Sequence, residues 1–392
     1  VIFLKTFDFK VVIFYAEMMI YFAAILILYR RIYKNASMLL LNNMCMLLSV
    51  GFIMLCRLDI ASANKQLLIV AFGSAVALVI PVMIRKMKFL KDLTWVYAGL
   101  GIVLLGAVLV LAQTSYGAKL SLMGIQPSEV IKLTFVFFMA SLLAREVTFK
   151  KVVLATVVAG LHVGILVLSR DLGSAVIFFA AYLVLIYVST RKPAYLCIGI
   201  AGGTAGAVVA YHLFGHVRQR VSAWKDPMAV YQNEGYQIVQ SLFAIGTGGW
   251  FGMGLTQGMP KTIPIRESDF IFAAIAEELG VFFSICLILV YLICFIWFIN
   301  VTVKVKKTFY KLVTLGFSVI IMFQTFLTLG GVTKFIPSTG VTLPLISYGG
   351  SSIVTTIIIF SVIQGMYVLN GKEEESLEEE TEKESSKRKS RG

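Results

Sequence analysis

The sequence predicts an all-α, polytopic integral membrane protein with about eleven transmembrane helices. Three observations lead to this prediction. The chain of 392 residues is 58% hydrophobic and only 14% charged, which excludes a water-facing globular surface. Apolar runs of about 20 residues, the length that crosses the hydrocarbon core of a bilayer, recur along the chain. The Lys and Arg residues between these runs concentrate in alternate loops, which is typical of multi-span proteins.

The candidate spans follow one another from the N-terminus almost to the C-terminal tail. We identify them over residues 11–29, 39–57, 67–84, 94–112, 130–144, 152–168, 174–190, 195–213, 270–299, 311–332 and 350–369. The fifth span is the weakest because it contains Lys132. The segment between the eighth and ninth spans, residues 212–269, is too long to be a simple connection, so we expect it to be structured or functional.

The charges in the short loops predict the orientation. Sixteen cations occupy five alternate loops, namely Arg30, Arg31 and Lys34; Arg85, Lys86, Lys88 and Lys91; Arg145, Lys150 and Lys151; Arg191 and Lys192; and Lys304, Lys306, Lys307 and Lys311. Because Lys and Arg in short loops mark the cytoplasmic side, we expect the N-terminus of this chain outside and the C-terminus in the cytoplasm. The net charge of +14 is scattered between apolar runs, so we expect no nucleic-acid partner.

We divide the chain into three parts. Residues 1–38 form an N-terminal helix with a basic loop, residues 39–370 form the transmembrane core, and residues 371–392 form a tail. The tail is rich in glutamate and almost free of apolar residues, so we expect it to be disordered. The start at Val1, without a methionine, leaves open whether the natural N-terminus extends further.

Two segments on the predicted outer side interrupt the helical pattern. Residues 236–255 are apolar but contain five glycines, which favours an interfacial or re-entrant element over a twelfth span. Residues 331–352 combine Pro337, Pro344 and several glycines with hydroxyl side chains. Such punctuation breaks helices and is tolerated at membrane depth only against protein or a cavity. Together the two segments predict a polar cavity at the outer side.

Five separated motifs resemble the SEDS family of shape, elongation, division and sporulation proteins, the FtsW/RodA/SpoVE group. They are GIQPSEVIKL at 124–133, RDLGSA at 170–175, the segment from His216 to GYQIVQSLFAIGTGGWFGMGL at 235–255, SDFIFAAIAEELG at 268–280 and GVTLPLISYGGSS at 340–352. The resemblance covers about residues 39–370, the ten helices of the family. It leaves the span at 11–29 as an N-terminal addition.

The resemblance implies a peptidoglycan glycosyltransferase of the bacterial plasma membrane. Such an enzyme polymerises lipid II, an undecaprenyl-pyrophosphate-linked disaccharide peptide, into glycan strands for elongation, division or sporulation. It also implies a class B penicillin-binding protein as transpeptidase partner, with membrane lipid around both. Two other function classes stay open. A lipid II flippase would suit the intramembrane charges and broken helices, and a non-catalytic scaffold would only dock the penicillin-binding protein.

Asp269 is the candidate catalytic base. Polymerisation removes a proton from a sugar hydroxyl while a pyrophosphate leaves the other sugar, so the site needs a base and cations. Asp269 precedes the ninth span directly after the large loop, and it matches the family's proposed catalytic aspartate. The alternative is a helix cap, because Asp is a preferred residue at a helix N-terminus. Relatives commonly have a His two residues before this aspartate, where this chain has Glu267.

Cations on the outer side are candidates to bind the leaving pyrophosphate. Arg218 and Arg220 are preferred because they resemble a basic stretch of the family and because the Arg side chain can contact phosphate in a bidentate manner. Arg170 and Lys334 are further candidates, and Asp171 accompanies Arg170. The alternative for each cation is contact with solvent or lipid headgroups.

Glu129 and Lys132 are separated by three residues at the start of the fifth span, so they share a helix face. Charges at membrane depth are costly unless they are paired or face a cavity. We therefore expect a buried pair that lines the cavity, with purely structural pairing as the alternative.

The last outer loop and the cofactor question complete the predicted site. Ser347, Gly349, Gly350 and Ser351 supply hydroxyls and close backbone approach for sugar or phosphate, or else the glycines and Ser351 simply begin the final helix. No acidic cluster predicts a resident metal, and the cysteines lack ligand spacing. We expect at most a weak Mg²⁺ or Mn²⁺ shared with the substrate.

Overall fold

The computed structural model describes residues 1–111, 113–115, 118–121, 126–232 and 235–389. Its helices are α1 Ile2–Thr6, α2 Phe9–Ile32, α3 Met38–Leu58, α4 Ile60–Ala77, α5 Ile80–Lys86, α6 Thr94–Leu111, α7 Pro127–Leu143, α8 Phe149–Leu168, α9 Leu172–Thr190, α10 Pro193–Leu213, α11 Gly215–Lys225, α12 Gly235–Gly248, α13 Ile271–Lys304, α14 Thr308–Val332 and α15 Gly350–Lys389. Two short antiparallel strands that were not expected, β1 Gln113–Ser115 and β2 Ala118–Ser121, lie between α6 and α7. Residues 124 and 125, the first two of the motif at 124–133, lie outside the described residues.

Ten of the eleven predicted membrane spans are confirmed by length and composition. Ten of the described helical segments are long and apolar enough to cross a membrane: Phe9–Ile32, Met38–Leu58, Ile60–Ile84, Thr94–Leu111, Phe149–Leu168, Leu172–Thr190, Pro193–Leu213, Ile271–Lys304, Thr308–Val332 and Gly350–Gly371. The remaining predicted span is α7, a 17-residue helix. Most α7 residues are buried, so protein and not lipid surrounds its charged pair, Glu129 and Lys132.

The helices differ sharply in how much protein surrounds them. The most apolar windows of α14 and α15 are 72% and 78% buried, whereas the window of α10 is 0% buried and that of α2 is 22% buried. The buried helices form the centre of the bundle, and α14 carries Gln324 of the polar network described below. The apolar surfaces of α10 and α2 therefore face the membrane.

The glycine-rich segment forms a short helix that packs tightly on α13. Helix α12 has 14 residues, too few to cross a bilayer, as expected for an interfacial or re-entrant element. A Cβ atom on Gly248 would collide with the carbonyl oxygen of Ala276. Gly252 and Gly280 approach each other backbone to backbone, and both have positive φ, 80° and 83°. Glycine is required there both for space and for the left-handed backbone conformation.

Two carboxylates of α13 hold the turn that follows α12. Glu278 is fully buried, and it accepts a 3.0 Å ion-paired bond from Nε of Arg57 and a 3.1 Å bond from the Thr256 amide. Glu277 accepts a 2.9 Å bond from the Met259 amide. Both carboxylates therefore fasten the chain that leads to Asp269.

Helix α15 continues to Lys389, into the segment 371–392 for which the sequence predicts disorder. The disorder of this tail stays a prediction. The glutamates and lysines of this segment are good helix formers, and a helix that is already nucleated extends at little cost. Composition excluded a packed core for this segment, but it did not exclude a single extended helix.

Candidate active site

The short segment that carries Asp269 is held in place by the last outer loop. Ser347 Oγ donates a 2.5 Å hydrogen bond to the carbonyl oxygen of Ser268, and the Tyr348 amide donates a 2.7 Å bond to the carbonyl oxygen of Glu267. Two loops separated by about 80 residues are thereby locked together. Asp269 is therefore positioned by tertiary contacts and not by its own helix.

Asp269 does not cap α13. The helix begins at Ile271, and the cap position is occupied by Phe270, which makes no side-chain cap bond. The Asp269 carboxylate accepts a 3.1 Å bond from the hydroxyl of its neighbour Ser268. Of the two roles open from the sequence, the helix cap is excluded by this geometry, and the carboxylate remains available to a ligand.

Arg220 and Asp269 face each other across Gly340. The Arg220 side chain extends from α11, and its Nη1 donates a 3.0 Å bond to the carbonyl oxygen of Ser338. A Cβ atom on Gly340 would lie 3.5 Å from Arg220 Nη2 and 3.5 Å from Asp269 Oδ2. Gly340 has a φ of 70°, where a side chain is also disfavoured. The backbone thus leaves open space between a carboxylate and a guanidinium.

Burial shifts the pKa values of both Asp269 and Arg220. Removal from water raises the pKa of Asp269 above its usual value, and the charge of Arg220 opposes that rise. Burial also lowers the pKa of Arg220, against the attraction of Asp269 and Asp171. A carboxylate whose pKa moves toward neutrality is a better proton acceptor at physiological pH than an ordinary aspartate.

Asp171 lies at the N-terminus of α9, and its charge acts on Arg220. It caps α9 by accepting a 3.0 Å bond from the Ser174 amide, and it accepts a 2.9 Å bond from the Ser128 hydroxyl. Arg170 beside it is exposed, with a φ of 65°. The charges of Arg170 and Arg220, after the larger effect of burial, lower the pKa of His216, whose buried Nε2 has no hydrogen-bond partner.

A chain of polar contacts runs beneath the site through the centre of the bundle. Lys132 Nζ donates a 2.8 Å bond to Glu129 and another of 2.8 Å to Gln324 Oε1. The Gln324 amide group donates a 3.0 Å bond to the carbonyl oxygen of Thr342, in the last outer loop. The predicted pair is therefore present and buried, and it connects α7 to the loop that contains Gly340.

The comparisons with known proteins agree with this architecture. The model of the FtsW/RodA/SpoVE family, described as cell cycle proteins, matches residues 30–369. The chain belongs to this family. Because the match begins at residue 30, nearly all of α2 lies outside it, and its assignment as an N-terminal addition stays a prediction.

Relatives at 30% identity or more occur in several branches of the SEDS family. The peptidoglycan glycosyltransferase RodA of Mycobacterium tuberculosis is 34% identical over 367 residues, which cover 85% of this chain and 78% of that protein. Stage V sporulation protein E of Bacillus subtilis is 32% identical over 251 residues, 61% of this chain and 67% of that protein.

Solved structures share the fold. A chain from a study of polymerization and crosslinking by a peptidoglycan synthase complex superposes with a TM-score of 0.75 at 24% identity, over 86% of this chain and 98% of that chain. RodA of Thermus thermophilus superposes with a TM-score of 0.65 at 22% identity, over 85% of this chain and 96% of that chain.

The other predicted site residues of this SEDS protein are two cations, Arg218 and Lys334, and residues of the last outer loop. Arg218 is exposed on α11, away from the space beside Gly340. Lys334 is partly buried, and its carbonyl oxygen accepts a 3.1 Å bond from Trp224. The hydroxyl of Ser347 is engaged with backbone groups, and Ser351 Oγ accepts a 3.1 Å bond from the Gln126 amide. The Ser347 hydroxyl therefore supports the backbone of the site, and a contact of Ser347 with substrate stays a prediction.

Gly349 and Gly350 lie at the start of α15, and the Gly349 amide donates a 3.2 Å bond to Gln66 Oε1. The sequence left two roles open for these glycines. Their contacts support the role in loop and helix geometry. Sequence reasoning missed Gly340 as the residue between the charges, and it did not single out Gln324. The motif at 340–352 contains Gly340 and was the available signal.

No group of three His, Cys, Asp or Glu side chains that could hold a metal ion occurs in the part of the chain that the structure describes. A Mg²⁺ or Mn²⁺ shared with the substrate stays a prediction. Asp269 and Asp171 are the carboxylates whose charges act on Arg220, and they would supply oxygen ligands beside a bound pyrophosphate.

Proposed function

We propose that this protein is a peptidoglycan glycosyltransferase that polymerises lipid II at the outer face of the bacterial plasma membrane, with Asp269 as general base. The name and the 34% identity of the mycobacterial RodA support the reaction class. The observation that carries the residue assignment is the placement of Asp269 opposite Arg220 across Gly340, without a capping role. A carboxylate and a cation in one open space are what this reaction requires.

The proposed reaction uses the two charges at the same moment. Asp269 takes the proton from the acceptor sugar hydroxyl as that oxygen forms its bond to the donor sugar. The bond between the donor sugar and the pyrophosphate breaks, and Arg220 stabilises the negative charge that the leaving group gains. A positioned base of this kind typically contributes 10² to 10⁴ in rate. Arg170 lies near the same groups and would extend the cationic surface, whereas the lowered pKa of His216 favours its neutral form.

The proposed topology puts this site outside and the lysine-rich loops in the cytoplasm. Asp269, Arg220 and Gly340 lie at one end of the bundle, while the sixteen loop cations belong to the connections at the other end. With an odd number of crossings, the N-terminus of this chain is outside and its C-terminus inside.

The proposed partner is a class B penicillin-binding protein. A structural neighbour comes from a study of a peptidoglycan synthase complex that couples polymerization to crosslinking. The membrane-facing helices α10 and α2 offer apolar surface for contacts with another membrane protein or with lipid.

The test is polymerisation of labelled lipid II by the purified protein, alone and with the neighbouring penicillin-binding protein, resolved as glycan ladders on a gel. We expect ladders from the wild type and a loss of at least 10²-fold for Asp269→Asn. Asp226→Asn, an exposed aspartate of the same large loop, is the matched control and should retain activity. Folded complexes of wild type that form no ladder would favour a flippase or a scaffold.

A further inference from the structure

A cavity of about 600 Å³ lies at the end of the bundle opposite the candidate active site. Helix α9 begins beside Asp171 and ends at this cavity. Five of its lining residues are cations, Arg145, Arg191, Lys192, Lys306 and Lys311, and none of the described residues that line it is a carboxylate. The cavity is thus strongly positive.

Three helices begin at this cavity without the usual negative partner. Helices α8, α10 and α14 have neither a side-chain cap bond nor an acidic residue in the first turn. Lys192 and Lys307 occupy the cap positions of α10 and α14. Helix N-termini carry unpaired N–H groups that can donate hydrogen bonds to an anion. Because α7 and α9 end at the same cavity, their C-termini offset the helix dipoles, and the positive field comes from the five cations.

Four of the five cations that line the cavity take part in none of the ion pairs found among the described residues. The fifth, Arg145, pairs with Asp92 at 2.7 Å. Ser189 also lines the cavity, and its buried hydroxyl has no hydrogen-bond partner. Ordinary solvation of loop residues would account for the cations. It would not account for the Ser189 hydroxyl, which is buried without a partner between helix ends that lack caps.

The rim of the cavity is apolar on the membrane side. Phe149 and Val188 are exposed, and both line the cavity together with Tyr195. Helix α10, which begins at the cavity, is apolar and has no buried residue along its length. A ligand that fits therefore combines an anionic group, for the interior, with hydrocarbon that lies against the helices.

We propose that this cavity binds the phosphate headgroup of an anionic phospholipid of the cytoplasmic leaflet. The phosphate oxygens would accept hydrogen bonds from Arg191, Lys192 and Lys311, from Ser189 and from free N–H groups of the helix N-termini. The acyl chains would lie along α10. Basic pockets between transmembrane helices on the cytoplasmic side are suited to such headgroups, and the volume is in the range of ligand sites.

The test measures thermal unfolding of the full-length protein in a neutral detergent, titrated with phosphatidylglycerol, phosphatidylcholine or inorganic pyrophosphate. Phosphatidylglycerol should raise the Tm saturably, because a ligand that binds the folded state stabilises it, and phosphatidylcholine should not. The double variant Lys192→Ala/Lys311→Ala should bind phosphatidylglycerol about 30-fold more weakly, since each cation near an anionic lipid contributes about fivefold.

Two further variants keep the test decisive. Arg30→Ala/Arg31→Ala removes the same charge from exposed positions at the same end of the bundle and should bind like the wild type. Lys192→Arg/Lys311→Arg keeps the charges and should also bind. Equal weakening by the Arg30 and Arg31 control would overturn the site in favour of diffuse surface charge. Stabilisation by pyrophosphate as strong as by the lipid would overturn the lipid assignment, and so would no response to phosphatidylglycerol.

Discussion

The open space beside Gly340 leads to the most specific prediction about this protein. Replacement of Gly340 by Ala would add one methyl group 3.5 Å from Asp269 Oδ2 and 3.5 Å from Arg220 Nη2. Both distances are ordinary van der Waals contacts, so the protein should accommodate the methyl group without displacing either side chain. The same group would occupy the space in which the acceptor hydroxyl and the leaving group have to meet.

The expected effects on stability and activity are different in size. A side chain at a φ of 70° costs about 1–2 kcal/mol of folding free energy. Reacting groups that are displaced by about 1 Å lose about 10²-fold in rate. We therefore expect Gly340→Ala to remain folded, with modest destabilisation, and to lose about 10²-fold in kcat/KM.

Gly249→Ala is the matched control. Gly249 also has a positive φ, 54°, and no atom lies within 4 Å of the position its Cβ would take. The control should share the backbone cost but keep its activity. The assay is the initial rate of glycan formation from labelled lipid II, with the Tm of each variant measured in the same detergent. If Gly340→Ala polymerised as fast as Gly249→Ala, the space between Asp269 and Arg220 would not be where the reaction occurs.

Three further predictions follow from the charged groups. The charge of Arg220 opposes the rise in the pKa of Asp269, so Arg220→Gln should raise this pKa further. Activity is present above the pKa of the base and is lost as the pH falls through it. The acid limb of the kcat/KM profile should therefore move to higher pH. Arg57→Met should destabilise the fold by about 3–5 kcal/mol in denaturation experiments, because it leaves the buried carboxylate of Glu278 unpaired. Lys132→Met should cost a similar amount, about 3–5 kcal/mol, and a second change of its carboxylate partner to Gln should restore part of the loss.

Each of these predictions has an outcome that contradicts it. An acid limb that stays in place in Arg220→Gln would show that the guanidinium does not act on the base. For Arg57→Met, a Tm like that of the wild type would mean that Glu278 is protonated or hydrated without its partner. If the second substitution beside Lys132 brought no recovery, the loss would come from packing and not from an unpaired charge.

The two arginines of α11 show where sequence reasoning reached its limit. Arg218 and Arg220 were equivalent candidates because both follow the eighth span within a basic stretch. In the structure Arg220 points to Ser338 and Asp269, whereas Arg218 is exposed. A separation of two residues on a helix turns the side chains about 200° apart, so only one of them can face the site. The helix itself, and its docking against the last outer loop, were not visible in the pattern of charges.

Asp269 shows the same limit in another way. Its position before an apolar helix is equally compatible with a cap and with a base. The structure excludes the cap because α13 begins two residues later and because Ser347 and Tyr348 hold the preceding backbone away from the helix end. These contacts join segments about 80 residues apart, which no local pattern encodes.

The sequence by itself determined the membrane spans, the short interfacial helix, the Glu129–Lys132 pair and the family. The reason is physical: the bilayer acts on each apolar segment separately, and a pair three residues apart on a helix is local. Tertiary structure alone decided that Gly340 separates Asp269 from Arg220, that Arg57 neutralises Glu278, and that uncapped helix ends converge on a basic cavity. Each of these arrangements depends on which helix faces which neighbour, and that choice is made by packing inside the bundle.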